Sequence, residues 1–252
     1  MTTWTPPYTW EERLKYALVP PRLYMWRLLR KHARKGEAEL KLLPQLVARD
    51  KIAIDIGANK GVYAHVLSKL CRGVEAFEPN PKIYRILTRY LPPNVTPHHV
   101  AVSDRAGTAE LVIPARSTGG YSNQGASLNP MKKTTAPHGF GTFAVEARTL
   151  DSYAFTNVGF IKIDVEGFEE AVLRGGAETL KRERPTILLE LEERHTGRPI
   201  EDSLRDLTAL GFTAWFLRDG ALRPLSDFDP DRDHRGRYKQ PEYVFNFILR
   251  PA

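Results

Sequence analysis

Residues 51–61 read Lys51-Ile-Ala-Ile-Asp55-Ile-Gly-Ala-Asn-Lys-Gly61, and this stretch decides the fold. The apolar residues on either side of Asp55 predict a short strand that is buried on both faces, as in a parallel sheet. Gly57 and Gly61 then allow a tight turn and a helix that begins close to whatever lies above the loop. The sequence therefore predicts a strand, a ligand-binding loop and a helix in succession.

A second apolar run also ends in an acid, in the order Val74-Glu-Ala-Phe-Glu78-Pro79. Glu78 follows the glycine loop by about 20 residues, where an acid at the tip of the second strand can accept both hydroxyls of a ribose. The loop lacks the G-x-G-x-x-G order of dinucleotide binders. Asp55 would repel phosphate but attract the amino group of a ligand such as S-adenosylmethionine. The alternative is an ordinary strand-to-helix turn in which Asp55 caps the helix.

The composition is that of a folded protein made in a reducing compartment. The chain has 252 residues, 42% of them apolar, which predicts one large core and a single elaborated domain. Cys71 is the one cysteine, so no internal disulfide can form. The first residues lead into no apolar segment of a secretory signal, and no apolar run approaches the roughly 18 residues that span a bilayer. We expect a cytoplasmic protein that is peripheral to a membrane at most.

Positive charge is concentrated in residues 1–50, which carry ten Lys or Arg against five Asp or Glu. We interpret them as a helical, basic extension of a main domain that spans residues 51–252. Residues 22–35 place apolar side chains at helical spacing among cations, which predicts a basic amphipathic helix. Such a helix can touch anionic lipid, although packing on the core is commoner; the cations concerned are Arg27, Arg30, Lys31, Arg34 and Lys35. Nothing in the sequence indicates an oligomeric state.

Beyond Glu78 the chain continues to alternate helix and strand. Residues 80–90 predict a helix and residues 95–103 a third strand. Strand ends line the ligand crevice of such sheets, so three residues are candidate contacts for an adenine ring, namely Val102, Ser103 and Asp104. A simple Asx turn explains this strand end equally well.

The alternation stops between residues 107 and 151. Residues 108–113 and 142–147 predict the two strands of an inserted hairpin. A connection as long as residues 114–141 is uncommon unless it binds something or closes over it, so this loop is a candidate lid. Its small-residue turn could approach a substrate closely at Gly125 and Ser127. Disorder of the loop is the alternative.

The strongest chemical pattern lies in residues 160–170, Phe160-Ile-Lys-Ile-Asp-Val-Glu-Gly-Phe-Glu-Glu170. In a strand, Lys162, Asp164 and Glu166 point to the same face. Burying three charges is costly, so they imply mutual pairing, a metal, or a place at the edge where ligands bind. Glu190 ends the next predicted strand, and His195 follows shortly. The alternatives are a structural ion pair and a carboxylate that favours a helix start.

These motifs resemble the FkbM-type S-adenosylmethionine-dependent methyltransferases. The resemblance covers roughly residues 37–192, and the run at residues 161–169 is its most specific part. The matching stretches are Ile54-Asp-Ile-Gly-Ala-Asn-Lys-Gly-Val-Tyr63, Phe77-Glu-Pro79, Val100-Ala-Val-Ser-Asp104, Gly125-Ala-Ser-Leu128, Thr149-Leu-Asp151, Ile161-Lys-Ile-Asp-Val-Glu-Gly-Phe-Glu169 and Pro185-Thr-Ile-Leu-Leu-Glu190.

The resemblance implies an α/β fold of class I, a Rossmann-like seven-stranded sheet flanked by helices, with its last strand antiparallel. Residues 211–217 and 243–250 are suitable final strands. It also implies methyl transfer to hydroxyls of sugars, glycolipids and related metabolites. In such an enzyme Asp55, Gly57 and Gly61 would hold the methionine part of S-adenosylmethionine and Glu78 the ribose. The same loop adds further predicted cofactor contacts at Ala58, Asn59 and Tyr63.

The chemistry needs an aligned acceptor and a group that removes its proton. We expect Asp164 to accept that proton or to ligate a divalent ion, and Lys162 to orient it or to stabilise a developing alkoxide. Glu190, with Glu166 or His195, would complete the pocket. Catechol-type methyltransferases, which are similar in fold, place metal carboxylates after the corresponding strands. If a metal is present, Mg²⁺ or Mn²⁺ on Asp164 and Glu190 suits these ligands better than Zn²⁺.

Two rival functions remain open at this point. A nucleic-acid methyltransferase would use the basic extension to hold phosphates. However, enzymes that modify exocyclic base amines carry an Asn/Asp-Pro-Pro-Tyr/Phe motif where this chain has residues 164–167, which favours a small-molecule or glycan acceptor. A non-catalytic binding module is the second rival, and the intact acids at Asp55, Glu78 and Asp164 argue against it.

Overall fold

The structure is a computed structural model that describes residues 6–35, 38–238 and 240–252. Its strands are β1 (Ile52–Ile56), β2 (Gly73–Phe77), β3 (Val95–His98), β4 (Ala101–Val102), β5 (Gly107–Pro114), β6 (Phe140–Arg148), β7 (Val158–Ile163), β8 (Thr186–Glu190), β9 (Phe212–Arg218), β10 (Ala221–Pro224) and β11 (Asn246–Pro251). Its helices are α1 (Trp10–Leu18), α2 (Pro21–Lys35), α3 (Leu43–Leu46), α4 (Val62–Leu67), α5 (Pro81–Leu87), α6 (Met131–Thr135), α7 (Glu169–Gly175), α8 (Ala177–Glu183), α9 (Glu193–Thr196), α10 (Ile200–Ala209) and α11 (Pro230–Asp233).

The main sheet confirms the predicted α/β architecture. Its strands lie in the order β10-β9-β11-β8-β7-β1-β2-β3. The five strands from β8 to β3 in this order are parallel, and β11 runs antiparallel to both β8 and β9. The carboxyl ends of β1, β2, β7 and β8 therefore meet at one edge, where ligands bind in sheets of this kind.

The main sheet has eight strands within the described residues, and the predicted seven is one too few. The extra edge strand, β10, forms a hairpin with β9. Only Asp219 and Gly220 separate these strands, and both have a positive φ, 51° and 74°. An Asp-Gly pair in this backbone conformation is the usual two-residue hairpin turn, which is why the chain folds back here.

The predicted third strand over residues 95–103 is wrong in its second half. Only β3 joins the main sheet, whereas β4 pairs with β6 in a separate three-stranded sheet. The other two strands of that small sheet confirm the predicted hairpin, because β5 and β6 pair antiparallel from Gly107 opposite Ala147 to Pro114 opposite Phe140. The chain thus leaves the main sheet after His98 and builds a platform beside it.

The core lies on both faces of the main sheet. Ile54, Ile56 and Ile163 pack into a cluster on one face, and Ala53 and Phe160 pack into a cluster on the other. Each of these side chains is 1% exposed or less. Complete burial of such side chains stabilises the fold by about 1.5–3 kcal/mol each for the larger ones. The prediction that the first strand is buried on both faces is confirmed.

Residues 10–35 of the basic N-terminal extension contain two helices, α1 and α2, of which α2 is the predicted one. A capping box between Thr9 and Glu12 starts α1. Glu12 then pairs with the buried Lys82 at 2.7 Å, which fixes α1 to α5. Tyr24 and Met25 of α2 are buried. No helix in the described ranges is long and apolar enough to cross a membrane.

Candidate functional site

The glycine loop after β1 is pinned between β2 and the end of β7. The amides of Gly57 and Ala58 both donate to the carbonyl of Phe77, at 3.0 and 2.9 Å. Gly57 has a φ of 83°, and a Cβ atom there would lie 1.9 Å from the carbonyl oxygen of Asp164. Only glycine fits this position, so the backbone of the loop lies against the segment that carries the predicted catalytic residues.

Glu78 ties the end of β2 to this loop. Its two carboxylate oxygens accept the amides of Asn59 and Asn80, each at 2.8 Å. Burial raises the pKa of Glu78 to about 7, although both amide hydrogen bonds oppose that shift. The structure therefore brings the glycine loop and Glu78 together, as the sequence predicted. A carboxylate has further lone pairs that remain available for a ligand.

A cleft of about 610 Å³, with its open mouth included, begins above this loop. Asn59 lines it, and the side-chain oxygen of Asn59 is buried with no hydrogen-bond partner among the described residues. Seven of the predicted site residues line the cleft, namely Gly57, Asn59, Glu78, Val102, Ser127, Asp164 and Glu166.

The other predicted cofactor and substrate residues lie elsewhere. Ala58 and Tyr63 are buried in the core, and Gly61 precedes α4 with a φ of 84°. Gly125 ends a short turn between two residues that line the cleft. Asp55 is buried within β1.

Ser103 and Asp104 do not line the cleft. A Cβ atom on Gly175 of α7 would lie 1.9 Å from the carbonyl oxygen of Ser103, so the backbone here packs on that helix. Asp104 pairs with Arg174 at 3.0 Å. These two residues face α7 because β4 has left the main sheet. Of the three predicted adenine contacts, the structure brings only Val102 to the cleft.

Lys162 lies next to Asp164, at the end of β7, and is only 2% exposed. Its ammonium nitrogen is 3.1 Å from Asp164 Oδ2 and 4.7 Å from the centre of the Tyr63 ring. Asp55 is its register neighbour in β1. A buried ammonium ion needs this kind of surrounding, because carboxylates and the face of a tyrosine ring both stabilise a cation.

Asp164, Glu166 and Glu190 form a carboxylate cluster whose oxygens lie within 4.8 Å of one another. This geometry alone could hold a divalent ion. However, Lys162 already pairs with Asp164, and Lys132 pairs with Glu166 at 2.9 Å. A metal would have to compete with two ammonium ions, so the donor set does not fit a resident metal well.

Glu166 contacts His195, which contacts Glu192. The imidazole Nε2 is 3.2 Å from Glu166 and Nδ1 is 3.5 Å from Glu192. Burial lowers the pKa of His195 to about 3, so its ring is neutral at ordinary pH. Burial also raises the pKa of Glu166. Burial opposes ionisation of Glu192 too, but hydrogen bonds from Arg194 and Tyr243 outweigh it and lower the pKa of that carboxyl.

The insert between β5 and β6 is docked on the segment that follows β7. Ser127 donates to the carbonyl of Val165 at 2.9 Å. The Asn129 amide donates to the carbonyls of Gly167 and His195, at 2.9 and 2.8 Å. Lys132 of α6 supplies the ion pair with Glu166. The insert therefore contributes to the site directly.

Sequence reasoning missed Lys132, Asn129, Glu192 and Tyr243. Glu192 could have been found, because it alternates with Glu190 in the run at residues 186–192. Lys132 and Asn129 lie in a loop that offers no periodicity. Tyr243 is 51 residues from Glu192 along the chain and reaches it only through the fold.

A second cavity opens beside the carboxylate cluster. Tyr243 and Asn246 line it together with His32 of α2. Asn246 is the register partner of Glu190, and its side-chain oxygen is buried with no hydrogen-bond partner among the described residues. The contacts from Glu166 through His195 and Glu192 to Tyr243 thus connect the cleft with this cavity.

Comparison with known proteins found a curated relative and solved structures that align with this chain. The chain is 28% identical over 169 residues to the 2-O-methyltransferase NoeI of Sinorhizobium fredii (strain NBRC 101917 / NGR234), which covers 60% of this chain and 69% of that protein. Among solved structures, methyltransferase FkbM from Methylobacillus flagellatus KT aligns with a TM-score of 0.53 at 14% identity, over 84% of this chain and 47% of that chain. A TehB-like SAM-dependent methyltransferase from Corynebacterium glutamicum ATCC 13032 Kitasato aligns with a TM-score of 0.48 at 12% identity, over 92% and 98%.

The family comparison agrees with the motifs in the sequence. The methyltransferase FkbM domain matches residues 55–213, which begin at Asp55 and include the glycine loop, the carboxylate cluster and the insert. The match spans more than half of the chain. The chain therefore belongs to the methyltransferase FkbM domain family.

Proposed function

We propose that this protein is an S-adenosylmethionine-dependent O-methyltransferase whose acceptor is a hydroxyl of a neutral sugar or a related polyol. The carboxylate cluster carries this proposal, because Asp164 and Glu166 line the cleft, and Glu190 is the register partner of Asn246, which lines the second cavity. The family and the similarity to a 2-O-methyltransferase support it.

The cleft carries hydrogen-bond acceptors that suit the amino and hydroxyl groups of S-adenosylmethionine. The unpartnered oxygen of Asn59 can accept a hydrogen bond from an amino or hydroxyl group. Glu78 can accept ribose hydroxyls at the end of β2. The absent side chain at Gly57 lets the loop pack against the Asp164 carbonyl, and both residues line the cleft. When bound, S-adenosylmethionine supplies an electrophilic methyl group on a sulfonium sulfur.

The residues of the chain then have to position the acceptor hydroxyl and take its proton. We assign positioning to Asp164, which Lys162 holds in place at 3.1 Å. We assign proton removal to Glu166, because burial raises its pKa toward the working pH of a general base. The cofactor would supply the methyl group to the hydroxyl oxygen and keep the bonding pair on its sulfur, while the Glu166 carboxylate takes the hydroxyl proton. Glu190 and His195 complete the wall of the pocket.

The second cavity is the proposed acceptor site, and its charge selects the acceptor. Among the described residues that line it are two exposed carboxylates, on Asp219 and Glu242, and one guanidinium, on Arg218. Arg218 pairs with the buried Asp233. This lining repels phosphate and favours neutral polyols, which bind to polar side chains and to aromatic rings such as Tyr243. It also disfavours RNA as the acceptor.

No step of this proposal uses a metal. The ammonium groups of Lys162 and Lys132 neutralise the carboxylates that a divalent ion would need. We expect full methyl transfer in the presence of EDTA. Loss of activity on chelation, restored by Mg²⁺ or Mn²⁺, would contradict this assignment.

Calorimetric titration with S-adenosylmethionine and S-adenosylhomocysteine tests the cofactor site. We expect micromolar binding by the wild-type protein and at least about tenfold weaker binding by Glu78→Gln. Glu75→Gln is the matched control, because Glu75 lies on the same strand but pairs with His98 at 2.6 Å outside the cleft. Absence of binding by the wild-type protein would overturn the proposed function.

A radiolabelled methyl-transfer screen tests the acceptor. We compare neutral oligosaccharides, sugar phosphates and RNA at equal concentration. Transfer to a neutral sugar, with an acceptor KM that rises in Asn246→Ala while the cofactor affinity is unchanged, supports the proposal. Preferred transfer to sugar phosphates or RNA would refute it.

A further inference from the structure

The outward face of α1 is apolar. Trp10, Leu14 and Leu18 follow one another at intervals of four residues, so they form one stripe along the helix. Their exposed fractions are 70%, 50% and 76%. The opposite side of α1 holds it to the protein through Glu12 and through the edge-to-face contact of Tyr16 with Tyr24. The apolar stripe is therefore not used for packing within the described chain.

The outward face of α2 mixes cations with apolar side chains. One ridge of the helix carries Arg22, Trp26, Arg30 and Arg34, which are four residues apart. The guanidinium of Arg30 lies 5.2 Å from the centre of the Trp26 ring. The adjacent ridge carries Leu23, Arg27 and Lys31. The sequence of α2 contains six Lys or Arg and no acid.

This segment concentrates the exposed apolar side chains of the protein. Five of the nine large hydrophobic residues that are exposed in the described ranges lie between residues 10 and 26. Contiguous exposed apolar surface marks an interaction site rather than ordinary surface. Tryptophan rings and leucines enter the interfacial region of a bilayer, and the surrounding arginines attract anionic headgroups. The charge on α2 therefore distinguishes a lipid surface from an uncharged apolar partner.

We propose that α1 and α2 bind the protein to the surface of an anionic phospholipid bilayer. The stripe of α1 and Trp26 enter the headgroup region, and the cations of α2 contact lipid phosphates. The helices lie on the membrane and do not cross it. This assignment is independent of the methyl-transfer reaction.

One consequence does depend on the proposed function. His32 of α2 lines the proposed acceptor cavity, while Arg30 and Arg34 lie on the outward ridge of the same helix. Membrane binding through α2 would bring that cavity close to the lipid surface. The acceptor class that fits this placement is a neutral sugar carried on a lipid.

Vesicle co-sedimentation of the full chain tests the proposal. We use phosphatidylcholine vesicles with and without about one third phosphatidylglycerol, at low salt and at about 150 mM salt. We expect binding to the anionic vesicles only, weakened by salt, with a blue shift of tryptophan fluorescence. No binding to anionic vesicles at low salt would overturn the proposal.

Two variants separate the apolar contribution from the charged one. Trp10→Ser combined with Leu14→Ser removes the stripe, and Arg30→Glu combined with Arg34→Glu reverses the charge. We expect each to weaken vesicle binding at least about tenfold. The matched control is Arg105→Glu with Lys181→Glu, which alters exposed cations outside α1 and α2 and should bind like wild type. If this control weakens vesicle binding equally, net charge alone explains the effect, and the proposal that α1 and α2 form the membrane-binding surface is wrong.

A second copy of the chain is the competing occupant of the stripe. Sedimentation velocity without lipid tests it, and we expect a monomer whose state does not change in the Trp10→Ser, Leu14→Ser variant. A dimer that this variant dissociates would overturn the lipid assignment. Circular dichroism and titration with S-adenosylmethionine confirm that each variant is folded, so failure of vesicle binding is distinguishable from failure of the proposed function.

Discussion

Asp55 of β1 and Lys162 of β7 face each other across adjacent parallel strands, in the interior of the sheet. They are 1% and 2% exposed. Side chains at register positions of a parallel pair point to the same face, so opposite charges lie side by side where water is excluded. Such a pair adds little net stability, but loss of one member leaves a buried charge without compensation.

We therefore expect Lys162→Met to destabilise the protein by about 3–5 kcal/mol in urea unfolding. It should also abolish methyl transfer, because Asp164 loses the ammonium that holds it. Lys69→Met, which removes an exposed ammonium, is the control and should change stability by less than about 0.5 kcal/mol. A small effect of Lys162→Met would show that the buried charges are compensated by other means.

Gly57→Ala should remove cofactor binding and cost at least about 3 kcal/mol of stability, since the new Cβ atom would collide with the Asp164 carbonyl. Gly119→Ala is a close control. Gly119 has nearly the same φ, 84° against 83°, but nothing lies within 4 Å of its added Cβ atom. It should cost only the backbone strain of about 1–2 kcal/mol and keep cofactor affinity. If both variants lose the same stability and cofactor affinity, the positive φ explains the effect and the contact with the Asp164 carbonyl does not.

The pH dependence of methyl transfer should report Glu166. Its carboxylate must be ionised to take the proton, and burial raises its pKa above the ordinary value of 4.5. The rate should therefore fall as pH drops through that raised pKa. Glu166→Gln should lower kcat by about 10²–10⁴-fold and abolish this limb of the profile. Glu110→Gln removes a surface ion pair with Lys133 and is the control, so its rate should fall at low pH as in the wild type. If the rate of Glu166→Gln still falls at low pH as in the wild type, the general base is another residue.

Glu169 makes stability depend on pH. It is 2% exposed, and burial raises its pKa to about 7. The unfolded chain binds fewer protons than the folded one between about pH 4.5 and 7, so this group favours the fold at low pH and loses that contribution as pH rises. The loss amounts to up to about 3 kcal/mol.

Glu169→Gln should flatten that fall, because glutamine can still accept the amides of Val165 and Gly167 but does not ionise. Chemical unfolding at about pH 5 and pH 8 measures the difference. Glu178→Gln, an exposed change on α8, provides the baseline. The same pH slope in Glu169→Gln and wild type would show that Glu169 stays ionised in the fold.

Local patterns predicted much of the architecture. The apolar run at residues 52–56 gave a buried parallel strand, and the two strands around the insert paired as expected. The strand geometry expected for Lys162, Asp164 and Glu166 was wrong, because β7 ends at Ile163 and Glu166 has a positive φ of 58°. The extra strand β10 was missed although Asp219-Gly220 is a hairpin signal, because its short strand carries little apolar pattern. The predicted strand at residues 95–103 was too long, since local sequence does not show to which sheet Ala101 will pair.

The sequence predicted the site residues that lie at the ends of strands. It missed those that come from loops distant in the chain. Asp164, Glu166 and Glu190 follow strand ends, and the fold brings them together. Lys132 reaches Glu166 from the insert, and Tyr243 reaches Glu192 from the last segment of the chain, by contacts that no spacing encodes. Ser103 and Asp104 turned toward α7 for a related reason, because the chain had already changed sheets.

The docked insert links access to the cleft with the ion pair of Glu166. Ser127, Asn129 and Lys132 all fasten it to the segment after β7. Any displacement that opens the cleft for exchange of reactants would also take the ammonium of Lys132 away from Glu166. Reactants would then exchange with solvent only when the Lys132–Glu166 ion pair is broken. A bound cofactor would meet an ionised Glu166, paired with Lys132, only when the cleft is closed to bulk water.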